Sequence, residues 1–195
     1  MTHYIILGLL SPLICVLGYV PYVYSIIKNK ITPHPFSWFL WAILGFVTLV
    51  TYIGVGAKET IPLAVLNFFG PLFIFFFTIK YWKGGFSRFD YVCLALSLVS
   101  ITIYIVFRTA AIALTINLLG DLFASFPTIR KTYNDPKSEN ILTWICFFIG
   151  NLLSLFAIKD ITYGVLVFPL YLTLIAASMF LLIIRKKFRF SSIKK

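Results

Sequence analysis

One carboxylate stands alone inside the apolar runs of this 195-residue chain: Asp121. The other acidic residues, Glu59, Asp90, Asp135, Glu139 and Asp160, fall in the short polar stretches between runs. An ionised carboxylate at the centre of a bilayer costs about 2.5–3.5 kcal/mol on insertion scales, so such a group needs a partner, a wet cavity or a proton. Asn117 precedes it by four residues and Ser125 follows by four, which at helical spacing puts all three on one face. That arrangement suits recognition of a polar solute, or proton coupling through Asp121. Hydrogen bonding between helices is the structural alternative. Asn67 and Asn151 are the other strong polar groups inside apolar runs, and each amide needs partners away from water. A sugar or a nucleoside would supply them, and so would a neighbouring helix.

The spacing of these residues belongs to a larger pattern, a repeat at an offset of 106 residues. Pro21 matches Pro127 and Trp38 matches Trp144, and between them Val23 aligns with Ile129 and Ser37 with Thr143. Thr32 with Ser138 and Thr48 with Ser154 extend the match. Internal repeats of apolar spans are a signature of transporters that rock two similar bundles around a central site. The counterparts of the candidate site residues differ: Asn117 aligns with Ser11, Asp121 with Cys15, Asn151 with Gly45 and Asn67 with Thr173. A solute site breaks the symmetry of a repeat more readily than an architectural carboxylate does. Thr173 therefore joins the candidate substrate-binding set of Asn67, Asn117, Asp121 and Asn151. Pro21 and Pro127 are candidate hinges, because proline frees a carbonyl one turn back and weakens the helix there. Trp38 and Trp144 sit at helix starts, where anchoring at the membrane interface is the ordinary role, and Trp41 is deep enough to be a cavity aromatic.

Seven apolar runs must position these residues: 4–27, 36–55, 61–79, 91–107, 110–129, 141–158 and 161–184. A membrane-spanning helix needs about 20 such residues, and unbroken runs without alternation argue against a barrel. Of the 17 Lys and Arg, 14 fall on one side of the alternating spans and only Lys58, Arg108 and Lys159 on the other. That bias puts the C-terminus in the cytoplasm and the N-terminus outside. The repeat maps the first three runs onto the last three, so the fourth re-inverts the chain and makes the repeats parallel. The expected fold is all-α and integral to the membrane: two three-helix bundles joined by a linker helix, 3+1+3. Its parts are 1–83, a linker at 84–108, a second bundle at 109–187 and a basic cytoplasmic tail at 188–195.

Composition agrees and excludes other classes. The chain is 61% hydrophobic and 12% charged, with mean hydropathy +0.97, about half the charge of a soluble domain. The net charge of +11 is spread over short loops without a nucleic-acid motif, so it sets topology rather than binding nucleic acid. Cys15, Cys93 and Cys146 lie inside apolar runs, with no CxxC or Cys/His grouping that would hold a metal. The first run lacks a basic n-region and a cleavage site and reads as a retained helix. No HExxH or GxSxG is present, and His3 and His34 are far apart, so neither an enzyme nor a cofactor is expected. The last run has no lysine for a retinal.

Several of these stretches resemble a known family. Pro21-Tyr22, then Lys28-Asn29-Lys30 and Ser37-Trp38-Phe39-Leu40-Trp41, resemble the PQ-loop region of the SWEET and PQ-loop transporter superfamily. Ala124-Ser125-Phe126-Pro127-Thr128 and Phe148-Ile149-Gly150-Asn151 are similar to its second copy, and Asn67-Phe68-Phe69-Gly70 to its N-x-x-G, whose asparagine binds substrate. The resemblance implies a carrier of sugars, nucleosides or vitamins, or amino acids. Tyr22 and Thr128 replace both PQ glutamines, Ser154 and Thr48 stand where SWEETs carry tryptophan, and Thr173 replaces the second asparagine. The expected protein is a transporter in a prokaryotic cytoplasmic membrane, with lipid, a small polar solute and protons as its partners, in an organisation compatible with a homo-oligomer. The alternative is a non-transporting receptor or scaffold on the same fold, making contacts through its loops and its tail.

Overall fold

The computed structural model describes residues 2–31, 35–79 and 88–191. His34, Lys80, Lys83, Lys194, Lys195 and the first residues of the expected linker lie outside them, as does the side chain of Pro127. The described residues form seven α-helices and no strand: α1 (Thr2–Ile27), α2 (Pro35–Gly54), α3 (Ile61–Thr78), α4 (Arg88–Phe107), α5 (Ala110–Asn134), α6 (Ile141–Phe156) and α7 (Tyr163–Ser191). A 3-10 turn at Pro136–Ser138 separates α5 from α6.

Local chemistry sets the boundaries. Asn29 ends α1 in the left-handed region (φ 52°), which asparagine tolerates better than most residues. Proline within the first two positions starts α3, where its missing N–H is no loss. Asn140 caps α6, its Oδ1 accepting from the N–H groups of Leu142 (2.9 Å) and Thr143 (3.3 Å). Asp135 stops α5 and caps the 3-10 turn, accepting from the Lys137 N–H at 3.1 Å. Helices α1 and α7 run on through internal prolines; Pro169 frees the Val165 carbonyl one turn back, and the Tyr52 hydroxyl takes it up at 2.8 Å. Helices α5 and α7 continue beyond the apolar runs, to Asn134 and Ser191.

Five helices are long and apolar enough to cross a membrane: α1, α2, α3, α5 and α7. The sixth, α6, has only 16 residues, a rise of about 24 Å. Surface and interior are reversed relative to a water-soluble bundle. Leu13, Leu17, Val20, Phe76, Leu174 and Leu181 are exposed, while Ser11, Thr48, Thr51, Asn117, Thr143 and Ser154 are buried. A membrane environment rationalises both halves of that pattern.

In the packing, α3 lies against both α1 and α2, and α7 against both α5 and α6. Helix α1 packs on α6, α2 packs on α5, and α4 covers α5 and α2. Tyr52, Phe168, Leu114 and Ala64 form a fully buried core near the ends of α2 and the starts of α3, α5 and α7. The Tyr52 hydroxyl donates to the Val165 carbonyl (2.8 Å) and pairs with Thr60 Oγ1 (2.6 Å), tying that end of the molecule together.

Candidate functional site

A cavity of about 110 Å³ lies between six of the helices, and among the described residues none of its lining comes from α4. Its lining combines a polar middle, an aromatic cluster and an apolar floor. Asp121 and Ser125 come from α5, Asn67 from α3, Asn151 from α6 and Cys15 from α1. Trp38 and Trp41, at the start of α2, join Trp144 and Phe147, at the start of α6, and Tyr19 of α1 in the aromatic cluster. Leu63, part of the Tyr52–Phe168 core, forms the floor.

The lining draws on both copies of the repeat at equivalent places. Cys15 and Asp121, Tyr19 and Ser125, Trp38 and Trp144, Trp41 and Phe147, and Leu66 and Leu172 are each 106 residues apart, and all ten residues face this one cavity. Such coincidence follows when two similar helix triplets meet around a shared space.

Polar contacts within the site are specific. Tyr171 of α7 donates to Asp121 Oδ2 at 2.5 Å, and Ser125 returns its hydroxyl to the Asp121 carbonyl at 2.9 Å. Asn151 Nδ2 donates to the Leu172 carbonyl at 3.3 Å, and the Cys15 thiol approaches Asn151 Oδ1 at 3.8 Å. Among the described residues no hydrogen bond reaches the Asn67 amide, which therefore offers its donors and acceptor to the cavity. Among the described residues Asp121 is the only charged side chain in the lining, and no lysine, arginine or histidine shares it. No group of three His, Cys, Asp or Glu able to hold a metal occurs among the described residues.

The aromatic cluster is packed edge to face. Trp38 and Trp41 lie 5.0 Å apart at 81°, Tyr22 meets Trp38 at 5.1 Å, and Tyr19 meets Phe147 at 5.0 Å. Beneath it, Glu139 is buried, pairs with Lys131 at 2.7 Å and accepts from Trp144 Nε1 at 3.3 Å, linking the end of α5 to the start of α6. Asn140 Nδ2 donates to Ser25 Oγ at 3.0 Å and reaches the Pro21 carbonyl at 3.5 Å, linking α6 to α1 beside the proline.

Asn67, Asp121, Asn151 and Trp41 come together as the sequence suggests, but two candidates go elsewhere. Asn117 does not line the cavity. It is fully buried between α5 and α2, donating through Nδ2 to the Leu44 carbonyl and to Thr48 Oγ1, both at 2.8 Å. Thr173 is buried and commits its hydroxyl to the Pro169 carbonyl. Both α1 and α5 stay helical through the candidate hinges Pro21 and Pro127. Trp38 and Trp144 line the cavity, Trp38 with its ring against Tyr19 and Trp144 with its ring against Phe147. Their recurrence at one offset was the signal for this. Tyr171 was not distinguishable from the other aromatics of its run.

Compared with family models, curated proteins and solved structures, the chain matches none.

Proposed function

We propose that the protein is a membrane transporter that carries a small polar solute by alternating access, with Asp121 as the charged member of its site. The observation that carries this reading is the cavity lined by five pairs of repeat-equivalent positions around a single carboxylate. The two moving units are α1–α3 and α5–α7, and α4 is the crossing that lets both run parallel. Exchanging α1 with α5, α2 with α6 and α3 with α7 maps the main contacts of the two triplets, α1/α6, α2/α3 and α1/α3, onto α2/α5, α6/α7 and α5/α7, while α4 packs on one side only, which supports this 3+1+3 division. All seven helices cross the bilayer in this reading, and the excess of Lys and Arg on one side puts the N-terminus outside. The bonds from Glu139 and Asn140 then lie at the cytoplasmic end and the Tyr52–Phe168 core at the outer end.

A closed, apolar interior around Asp121 would favour a receptor or scaffold that makes its contacts through loops and tail. The polar lining of Asn67, Ser125 and Asn151 favours transport over that alternative. Counterflow in proteoliposomes tests it: a panel of sugars, nucleosides, amino acids and amines should include a solute exchanged saturably by the protein. Protein-free exchange rates for every member of the panel would contradict the proposal.

A further inference from the structure

We infer that the solute is a small organic cation, an amine or quaternary ammonium without a carboxylate of its own, held between Asp121 and the indoles of Trp38, Trp41 and Trp144. The inference rests on the reading of this cavity as a solute site and narrows what the site accepts.

The charge pattern comes first. Asp121 faces a space whose lining, among the described residues, contains no lysine, arginine or histidine. Tyr171 gives Oδ2 one hydrogen bond, and among the described residues no cation approaches either oxygen. A carboxylate away from bulk water needs a counter-charge or a proton, and a cationic solute would bring the counter-charge that the lining lacks. The same lining leaves an anion, or the carboxylate of a zwitterion, without a cationic partner. Aromatic composition is the second, independent observation. Three tryptophans line one small cavity, and four is the total in the chain. Indole is the strongest of the side-chain rings for holding a cation, and rings grouped around one space are how proteins bind alkylammonium groups. Leu66, Leu172, Ile175 and Met179 complete a wall suited to methyl and methylene groups and unsuited to a bare metal ion, which needs several oxygen ligands. Asn67, with its amide directed to the cavity, adds one polar contact for a hydroxyl or N–H on the same molecule.

The test uses the full chain in lipid nanodiscs, titrated with tetramethylammonium while tryptophan emission is followed. Tert-butyl alcohol is the neutral comparator of similar shape. Tetramethylammonium should give a saturable change and bind at least ten-fold more tightly than the alcohol. Asp121→Asn should weaken it at least ten-fold, Asp121→Glu should retain most of it, and Trp41→Leu should weaken it several-fold. Equal binding of cation and alcohol, or unchanged affinity in Asp121→Asn, overturns the inference. Should Asp121→Asn not fold, the comparator and Trp41→Leu still decide. Reconstituted vesicles separate the two levels of the argument. Tetramethylammonium that binds but does not cross would leave the cation site standing and remove the transport reading. Saturable uptake of a neutral sugar, with no binding of tetramethylammonium, would do the reverse.

Discussion

Two seams join the helix triplets, α2 against α5 and α1 against α6, and the repeat makes them counterparts. They are built differently. In the first, Asn117 reaches from α5 to the Leu44 carbonyl and the Thr48 hydroxyl of α2. In the second the equivalent residues are Ser11, Gly150 and Ser154. Both serine hydroxyls are buried and, among the described residues, have no hydrogen-bond partner, and at this point the helices meet by backbone proximity. A Cβ on Gly150 would overlap the Cys15 thiol and lie 2.8 Å from the Ser11 carbonyl. One turn further along, the polarity divides again. Cys15 on α1 meets Asn151, while its counterpart Asp121 meets Tyr171. A shared architecture thus tolerates an amide clamp at the middle of one seam and close backbone approach at the middle of the other, whose hydrogen bonds sit at Asn140 and Asn151. It keeps its charge on one side only.

That contrast can be broken at its tightest point. Replacing Gly150 by its counterpart's residue, Gly150→Leu, should destabilise the fold by about 3 kcal/mol, since the neighbour in the way is backbone. The thermal unfolding midpoint in detergent measures it, and Leu44→Ala on the other seam should leave no comparable overlap. Removing the polar clamp should cost less. Asn117→Leu loses two buried hydrogen bonds and is expected to destabilise by about 2 kcal/mol, a range that membrane and soluble series both support. An unchanged midpoint would mean that apolar packing alone holds α2 to α5.

The divided polarity near the cavity predicts a functional effect. Tyr171→Phe removes the hydroxyl that fixes the Asp121 carboxylate, so solute affinity should fall about ten-fold, or about 1.4 kcal/mol, with little change in the unfolding midpoint. The smallest effect sharpens the comparison most. Thr48→Val should destabilise by about 1 kcal/mol because it strands one of the two N–H groups of Asn117 Nδ2. Ser154→Ala, its counterpart, should stay within about 0.5 kcal/mol because its hydroxyl has no partner among the described residues to lose. Equal effects at the two positions would erase the distinction between the seams.

The sequence made the helices legible because long apolar runs between prolines, asparagines and charges leave little choice of element. It misjudged their far ends. Arg130 and Lys131 end the apolar run at 129, yet α5 continues to Asn134, because a helix needs only a cap, here Asp135, and not an apolar environment. The site was half legible, for a related reason. Polarity inside an apolar run flags Asn67, Asp121 and Asn151, but cannot say which neighbour each will meet. Asn117 and Asp121 share a helical face, and yet α5 meets α2 at the first and the cavity at the second. Thr173 turns its hydroxyl back onto the carbonyl four residues earlier on its own helix, a use that its polarity alone does not reveal. Trp38 and Trp144 looked like anchors because their places at helix starts are the same for both roles.

The account's central claim is that both triplets enclose one site and present it to either side of the membrane in turn. Ser125 is buried in that cavity and lines it, so a cysteine there reports access directly. In a chain with Cys15, Cys93 and Cys146 replaced by alanine, Ser125→Cys is exposed to a membrane-impermeant maleimide in right-side-out and in inverted vesicles. The account predicts labelling from both sides, slowed from both by a saturating transported solute. Labelling from one side only, whatever solute is present, would contradict it.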